Sequence, residues 1–197
     1  MSWAKLLASN RVIQQPSAKA ELDSLRSIVA RCFSDVTAKG LSTDARFIMA
    51  YDAARTLSVM IVRAAGYRPR SVGGHYNTFL ALEAADPPAF ATLSAYFDGC
   101  RNKRNITECD GAGGVTDTEA EELLKAAQKF AVDAEAWIKA NYPALCRSLP
   151  CQRCCIVQEI SSLMSILDGR SPTMRDDCVA PSGACSAESG EPVCVPR

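Results

Sequence analysis

The stretch STDARFIMAYDAARTLSVMIVRAAGYRP, from Ser42 to Pro69, decides the fold. Phe47, Tyr51, Ala54, Leu57, Ile61 and Ala65 recur at helical spacing and make one apolar stripe. Ser42 offers a side-chain acceptor at the N-cap, and Asp44 puts a negative charge in the first turn, where the helix dipole favours it. Gly66 and Pro69 close the pattern. The stretch therefore predicts a long helix with a buried face.

Helical periodicity continues on both sides. Upstream, Leu22, Leu25, Val29 and Phe33 predict a helix from Ser17 to about Lys39, stopped by Gly40. Residues before Pro16 show no firm periodicity. Downstream, Ser71-Val72-Gly73-Gly74 breaks the chain, and a short helix fits His75 to Ala85. Asp86-Pro87-Pro88 is an N-cap followed by proline in the first turn, opening a helix that runs to about Thr107. A loop with Gly111, Gly113 and Gly114 follows. Thr116-x-x-Glu119 then reads as a capping box for a helix that carries Leu123, Leu124, Ala127, Phe130, Ala134 and Trp137 and ends near Asn141. No strand signal has comparable strength. The expected fold class is all-α: an up-and-down bundle of four to five helices over residues 17–142, with a Cys-rich, partly disordered extension over 143–197.

Composition narrows the function classes. Apolar residues make up 48% of the 197, enough for a real core. Lys plus Arg equals Asp plus Glu at 22 each, which argues against a generally basic nucleic-acid-coating protein but leaves room for a local basic patch. Neither a signal peptide nor an apolar run long enough for a membrane span is read, so the expected location is cytoplasmic, without membrane association. Of ten cysteines, Cys146, Cys151, Cys154, Cys155, Cys178, Cys185 and Cys194 crowd into the last 52 residues. Cys151-x-x-Cys154 has knuckle-like spacing, yet a second close pair and a nearby histidine are missing, so no metal is expected. One further helix fits residues 152–167; beyond Gly169 the Ser, Pro, Gly and Cys content reads as disordered. Gly111-Ala112-Gly113-Gly114 lacks the Lys-Ser/Thr ending of a phosphate loop, and Glu121 and Glu122 suit the first turns of a helix. No cofactor is expected.

The segment that carries chemistry is Arg101-Asn102-Lys103-Arg104-Asn105. With Phe97 at zero on a helical wheel, Phe90 falls at about 20° and Leu93 at about −40°. Arg104 then falls at about −20° and Arg101 at about 40°, inside or beside the apolar sector. Inward guanidinium groups need partners, because an unpaired buried charge is costly. Two readings follow. Arg104 and Glu108 form an i,i+4 salt bridge, or the arginines bind an anion, for which the planar fork of arginine suits phosphate.

These residues resemble the HEPN family (higher eukaryotes and prokaryotes nucleotide-binding), a small helical bundle. The likeness covers roughly residues 20–142. It rests on Ala45-Arg46-Phe47 through Tyr51-Asp52-Ala53-Ala54, on Gly66-Tyr67-Arg68-Pro69, and on Tyr96-Phe97-Asp98-Gly99-Cys100 leading into Arg101–Asn105. The Gly-Gly-Val-Thr loop at 113–116 also fits. The resemblance implies an RNA- or nucleotide-related role in a toxin–antitoxin or defence system. It implies a homodimer, and a cognate nucleotidyltransferase or antitoxin as partner. Catalytic members are metal-independent endoribonucleases with an Arg followed by His, and Arg104-Asn105 matches the Arg-Asn pair. On that basis Arg104 and Asn105 are the candidate catalytic residues, and Arg101, Lys103 and Arg104 the candidate phosphate- or RNA-binding residues.

The chain departs from the family at one point. The positions after Arg104 where the histidine would stand are Cys109, Asp110 and Gly111. The single histidine, His75, lies on another segment and reads as a helix-start or surface residue. Histidine matters because it moves protons near neutral pH, whereas arginine only stabilises charge. The expectation is an RNA- or nucleotide-binding protein with weak or no ribonuclease activity. The alternatives are an active ribonuclease with a substituted proton-transfer residue, and a helical protein–protein interaction module.

Overall fold

A computed structural model describes residues 1–109 and 114–146, with backbone alone over 106–109. They belong to one compact unit, Met1–Cys151. The expected helix at 152–167, the tail beyond it, the Cys151–Cys154 spacing and the Arg104–Glu108 pair lie outside what is described.

The unit is all-α, as the periodicity predicts. Its elements are α1 (Trp3–Ala8), β1 (Val12–Gln14), α2 (Lys19–Asp35), α3 (Thr43–Ala64), β2 (Tyr67–Pro69), α4 (Gly74–Ala85), α5 (Pro87–Cys109) and α6 (Asp117–Asn141), with a 3-10 turn at Pro143–Leu145. Local chemistry sets the helix ends. The Ser42 side chain accepts from the Ala45 N–H at the start of α3. Thr116 and Glu119 close a capping box at the start of α6. Gly66 follows α3 in the left-handed region, φ 85°, where a side chain would be strained.

Helix α3 is the axis of the bundle, packed against α2, α4, α5 and α6. A helix surrounded in this way must be apolar on most of its surface. Phe47, Ala50, Tyr51, Ala54, Leu57, Met60 and Ile61 are accordingly buried, more than the single stripe read from the sequence. They share a core with Leu22, Phe79, Phe97, Leu123, Phe130 and Ile138. Each large side chain buried there stabilises the fold by about 1.5–3 kcal/mol relative to exposure.

The N-terminal segment, which shows no firm periodicity, nevertheless forms regular structure. Helix α1 and strand β1 form, and β1 pairs antiparallel with β2 in the register Val12↔Pro69, Ile13↔Arg68 and Gln14↔Tyr67. Three-residue strands are too short to show an alternation, and pairing over the sequence distance between them depends on the fold. Leu6, Val12, Val62, Ala81 and Ala84 make a second small core beneath them. Trp3 stacks on Tyr67 with ring centroids 4.0 Å apart. Together these contacts fix the chain around Arg11 and Arg70 beside the start of α4.

Candidate anion-binding site

Helix α5 carries Arg101 and Arg104 on the side that meets α3 and α4. The Arg104 guanidinium carbon lies 5.7 Å from the centre of the Tyr51 ring, a cation–π contact. That of Arg101 lies 5.5 Å from the Tyr76 ring. Arg101 also donates from Nε to Asp98 Oδ1 at 2.7 Å and from Nη2 to Asn102 Oδ1 at 2.7 Å. Both arginines are half-buried.

The unexpected member is His75. It is the second residue of α4, so it does stand at a helix start. It is also half-buried, and its Nδ1 shares a 3.1 Å hydrogen bond with the Tyr51 hydroxyl; the imidazole tautomer sets which of the two donates. Tyr51 is fully buried and braced edge-on by Phe79, centroids 6.1 Å apart. The histidine is thus tied to a rigid core residue that Arg104 also touches.

Electrostatics join the same groups. Burial comes first in holding the His75 pKa below its ordinary value, followed by the positive charges of Arg55 and Arg104, while Asp52 opposes them. The dipole at the start of α4 acts in the same direction. His75 is therefore a neutral imidazole at neutral pH. Burial pushes the Tyr51 hydroxyl well above its ordinary value, so it stays protonated as a hydrogen-bonding group. Arg55, one turn beyond Tyr51 on α3, makes only a loose pair with Asp52, Nε to Oδ1 3.8 Å.

The residues singled out from the sequence divide into three groups. Arg101 and Arg104 are held in this cluster. Lys103 instead forms an ion pair with Glu119 of α6. That hydrogen bond and those from Thr116 hold the Glu119 carboxyl down at about 2. Lys103 and Glu119 line a separate recess of about 310 Å³ with Phe47, Tyr96 and Cys100. Asn105 is exposed. Arg55, Tyr51, Tyr76 and His75 were not read as site residues. No local spacing joins His75 to Arg104, because they stand on different helices and are brought together by the packing of α3, α4 and α5.

Among the described residues, no group of three His, Cys, Asp or Glu is placed to hold a metal ion. Among them, too, no helix is long and apolar enough to cross a membrane. The arrangement offers cationic donors, one neutral imidazole and two phenols, which suits an anion such as a phosphate ester. Against family models, curated proteins and solved structures, the chain gives no significant match.

Proposed function

We propose that this protein binds RNA or a nucleotide through its phosphate, at the cluster of Arg55, Arg101 and Arg104, as a HEPN-like component of a toxin–antitoxin or defence system. One observation carries the reading: Arg104 of α5 stands over the Tyr51 ring that is hydrogen-bonded to His75, with Arg101 over the neighbouring Tyr76 ring and Arg55 one turn along α3. Like charges gathered around a half-buried site repel one another, and an anion relieves that repulsion. The resemblance of Arg101–Asn105 to the HEPN pattern supplies the ligand class, and with it a homodimer and a cognate nucleotidyltransferase or antitoxin as partners. The test is RNA binding at low salt, where phosphate contacts are strongest. Arg101→Gln combined with Arg104→Gln is expected to weaken binding at least tenfold; unchanged binding sinks the reading.

The position of His75 favours a second reading, ribonuclease activity. The expected histidine is missing from α5, but a neutral imidazole stands beside the same arginines. It would take the proton of the RNA 2′-hydroxyl while that oxygen forms a bond to phosphorus. The 5′-oxygen would leave with a proton from solvent, giving a cyclic phosphate and a free 5′-hydroxyl. His75→Gln should abolish cleavage and spare RNA binding. If the wild type shows no cleavage in a sensitive assay, this second reading ends and the binding reading stands.

A further inference from the structure

Beside the arginine cluster lies a groove of about 620 Å³, lined by Arg11, Arg70, Ser71, Gly73, Tyr76 and Asn77 among others. That volume suits a ligand of nucleotide size. We propose that this groove is a second phosphate subsite for the strand held at the cluster, so that the ligand is a single-stranded oligoribonucleotide and not a mononucleotide. This inference rests on the phosphate-binding reading of Arg101 and Arg104.

Sheet geometry supplies the first argument. The Arg70 N–H donates to the Arg11 carbonyl at 2.8 Å, continuing the ladder one step beyond Val12↔Pro69. Arg11 and Arg70 therefore stand opposite each other at the end of the two strands. Like charges placed directly across a strand pair repel. Among the described residues neither guanidinium has a carboxylate partner. Arg68, two pairing positions along, shows the ordinary solution: it reaches the Glu21 carboxylate at 2.6 Å. An anion between Arg11 and Arg70 would remove a repulsion that the fold itself leaves in place.

Preorganisation is the second argument. Arg11 Nη1 donates to Asn77 Oδ1 at 3.2 Å, and Asn77 Nδ2 donates to the Val72 carbonyl at 2.9 Å. Asn77 is 4% exposed, so a buried neutral amide aims the guanidinium without cancelling its charge. Asn10 and Gly73, both on the rim, adopt positive φ of 53° and 67°, which turns the chain on each side of the groove.

The third argument connects the two sites. The Arg11 guanidinium carbon lies 5.4 Å from the Tyr76 ring centre and that of Arg101 lies 5.5 Å from it. Tyr76 is 39% exposed and lines the groove. One ring thus contacts a cation of the groove and a cation of the cluster, so the two sites adjoin and one strand can reach both. A rigid link of this kind makes the second contact intramolecular and raises affinity.

The experiment compares wild type, Arg11→Gln/Arg70→Gln, Arg70→Glu and Arg101→Gln/Arg104→Gln, each as the full chain. The ligands are uridine 5′-monophosphate and a single-stranded oligouridylate of about eight nucleotides. Wild type should bind the oligomer at least tenfold more tightly than the monophosphate. The Arg11/Arg70 variant should lose that advantage, keep its affinity for the monophosphate, and show a salt slope shallower by about 0.7 per lost contact. Arg70 is exposed, so Arg70→Glu reports on the groove even if the double variant folds poorly. Oligomer binding unaffected in both groove variants overturns the subsite and leaves the cluster reading intact. Equal wild-type affinity for the two ligands does the same. If wild type binds neither ligand, the subsite and the cluster reading fall together.

Discussion

Arginine has two different environments in this fold. On the side where α2 meets α6, the Arg26 side chain is 3% exposed and fully satisfied. It grips Glu135 with two nitrogens at 2.6 and 3.0 Å, Asp23 at 2.7 Å and the Leu145 carbonyl at 3.2 Å. Nearby on α2, Glu21 receives both Arg63, at 2.7 Å, and Arg68, at 2.6 Å. Around the start of α4 the balance is reversed. Arg11, Arg55, Arg70, Arg101 and Arg104 gather near Tyr51, His75 and Tyr76, with Asp52 and Asp98 paired at their edges. In the first region carboxylates complete the guanidinium groups, and the result is structure. In the second, aromatic rings and an amide share the work with the Asp52 and Asp98 carboxylates, and cations outnumber the carboxylates paired with them at the surface where we propose that an anion binds.

The largest expected effect tests the structural side. Arg26→Ala strips the partner from Glu135 and should lower unfolding free energy by about 3 kcal/mol, read by denaturant titration, with RNA affinity unchanged. A loss below about 0.5 kcal/mol would remove the distinction between the regions. Glu21→Gln comes next: it leaves two arginines facing a neutral amide and should cost about 1–2 kcal/mol in the same titration. On the other side, Arg101→Gln with Arg104→Gln should show the opposite profile. RNA affinity should fall at least tenfold, about 1.4 kcal/mol, with stability held or improved by relief of repulsion.

The smallest effect concerns pH. Because the folded-state pKa of His75 is lowered, the native protein binds fewer protons than the unfolded chain just below the ordinary histidine pKa of 6.5. His75 therefore costs no stability above that pH and makes the fold less stable as pH falls through the window below it. His75→Gln should flatten this part of the stability–pH curve. A bound phosphate reverses the sign of the local field, so wild-type RNA affinity should rise as pH drops from neutrality, and less so in the variant. A variant that keeps the full pH dependence would place the titrating group elsewhere.

Much of this was legible in local sequence. The Ser42 cap and the Thr116–Glu119 capping box announce α3 and α6, because a cap acts over three residues. The helical wheel turns Arg101 and Arg104 inward, because helix geometry alone fixes which side chains share a face. Lys103 was grouped with them as a phosphate-binding candidate, and the structure gives it instead to Glu119 on α6. The β1–β2 pair was not legible, since its six residues form strands only because α1 and α4 bury Val12 and its neighbours.

The sequence by itself determined helices α2 to α6, the caps of α3 and α6 and the inward set of the two α5 arginines, all matters of spacing within one element. Tertiary structure alone decided what those arginines meet. It packed α4 and α5 against α3, brought His75 to the Tyr51 hydroxyl, and set Arg11 across from Arg70 beside the same tyrosine-lined surface. The physical reason is range. Helix propensity and capping act within a few residues, whereas a cluster of charges around a neutral imidazole exists only when separate elements are packed together.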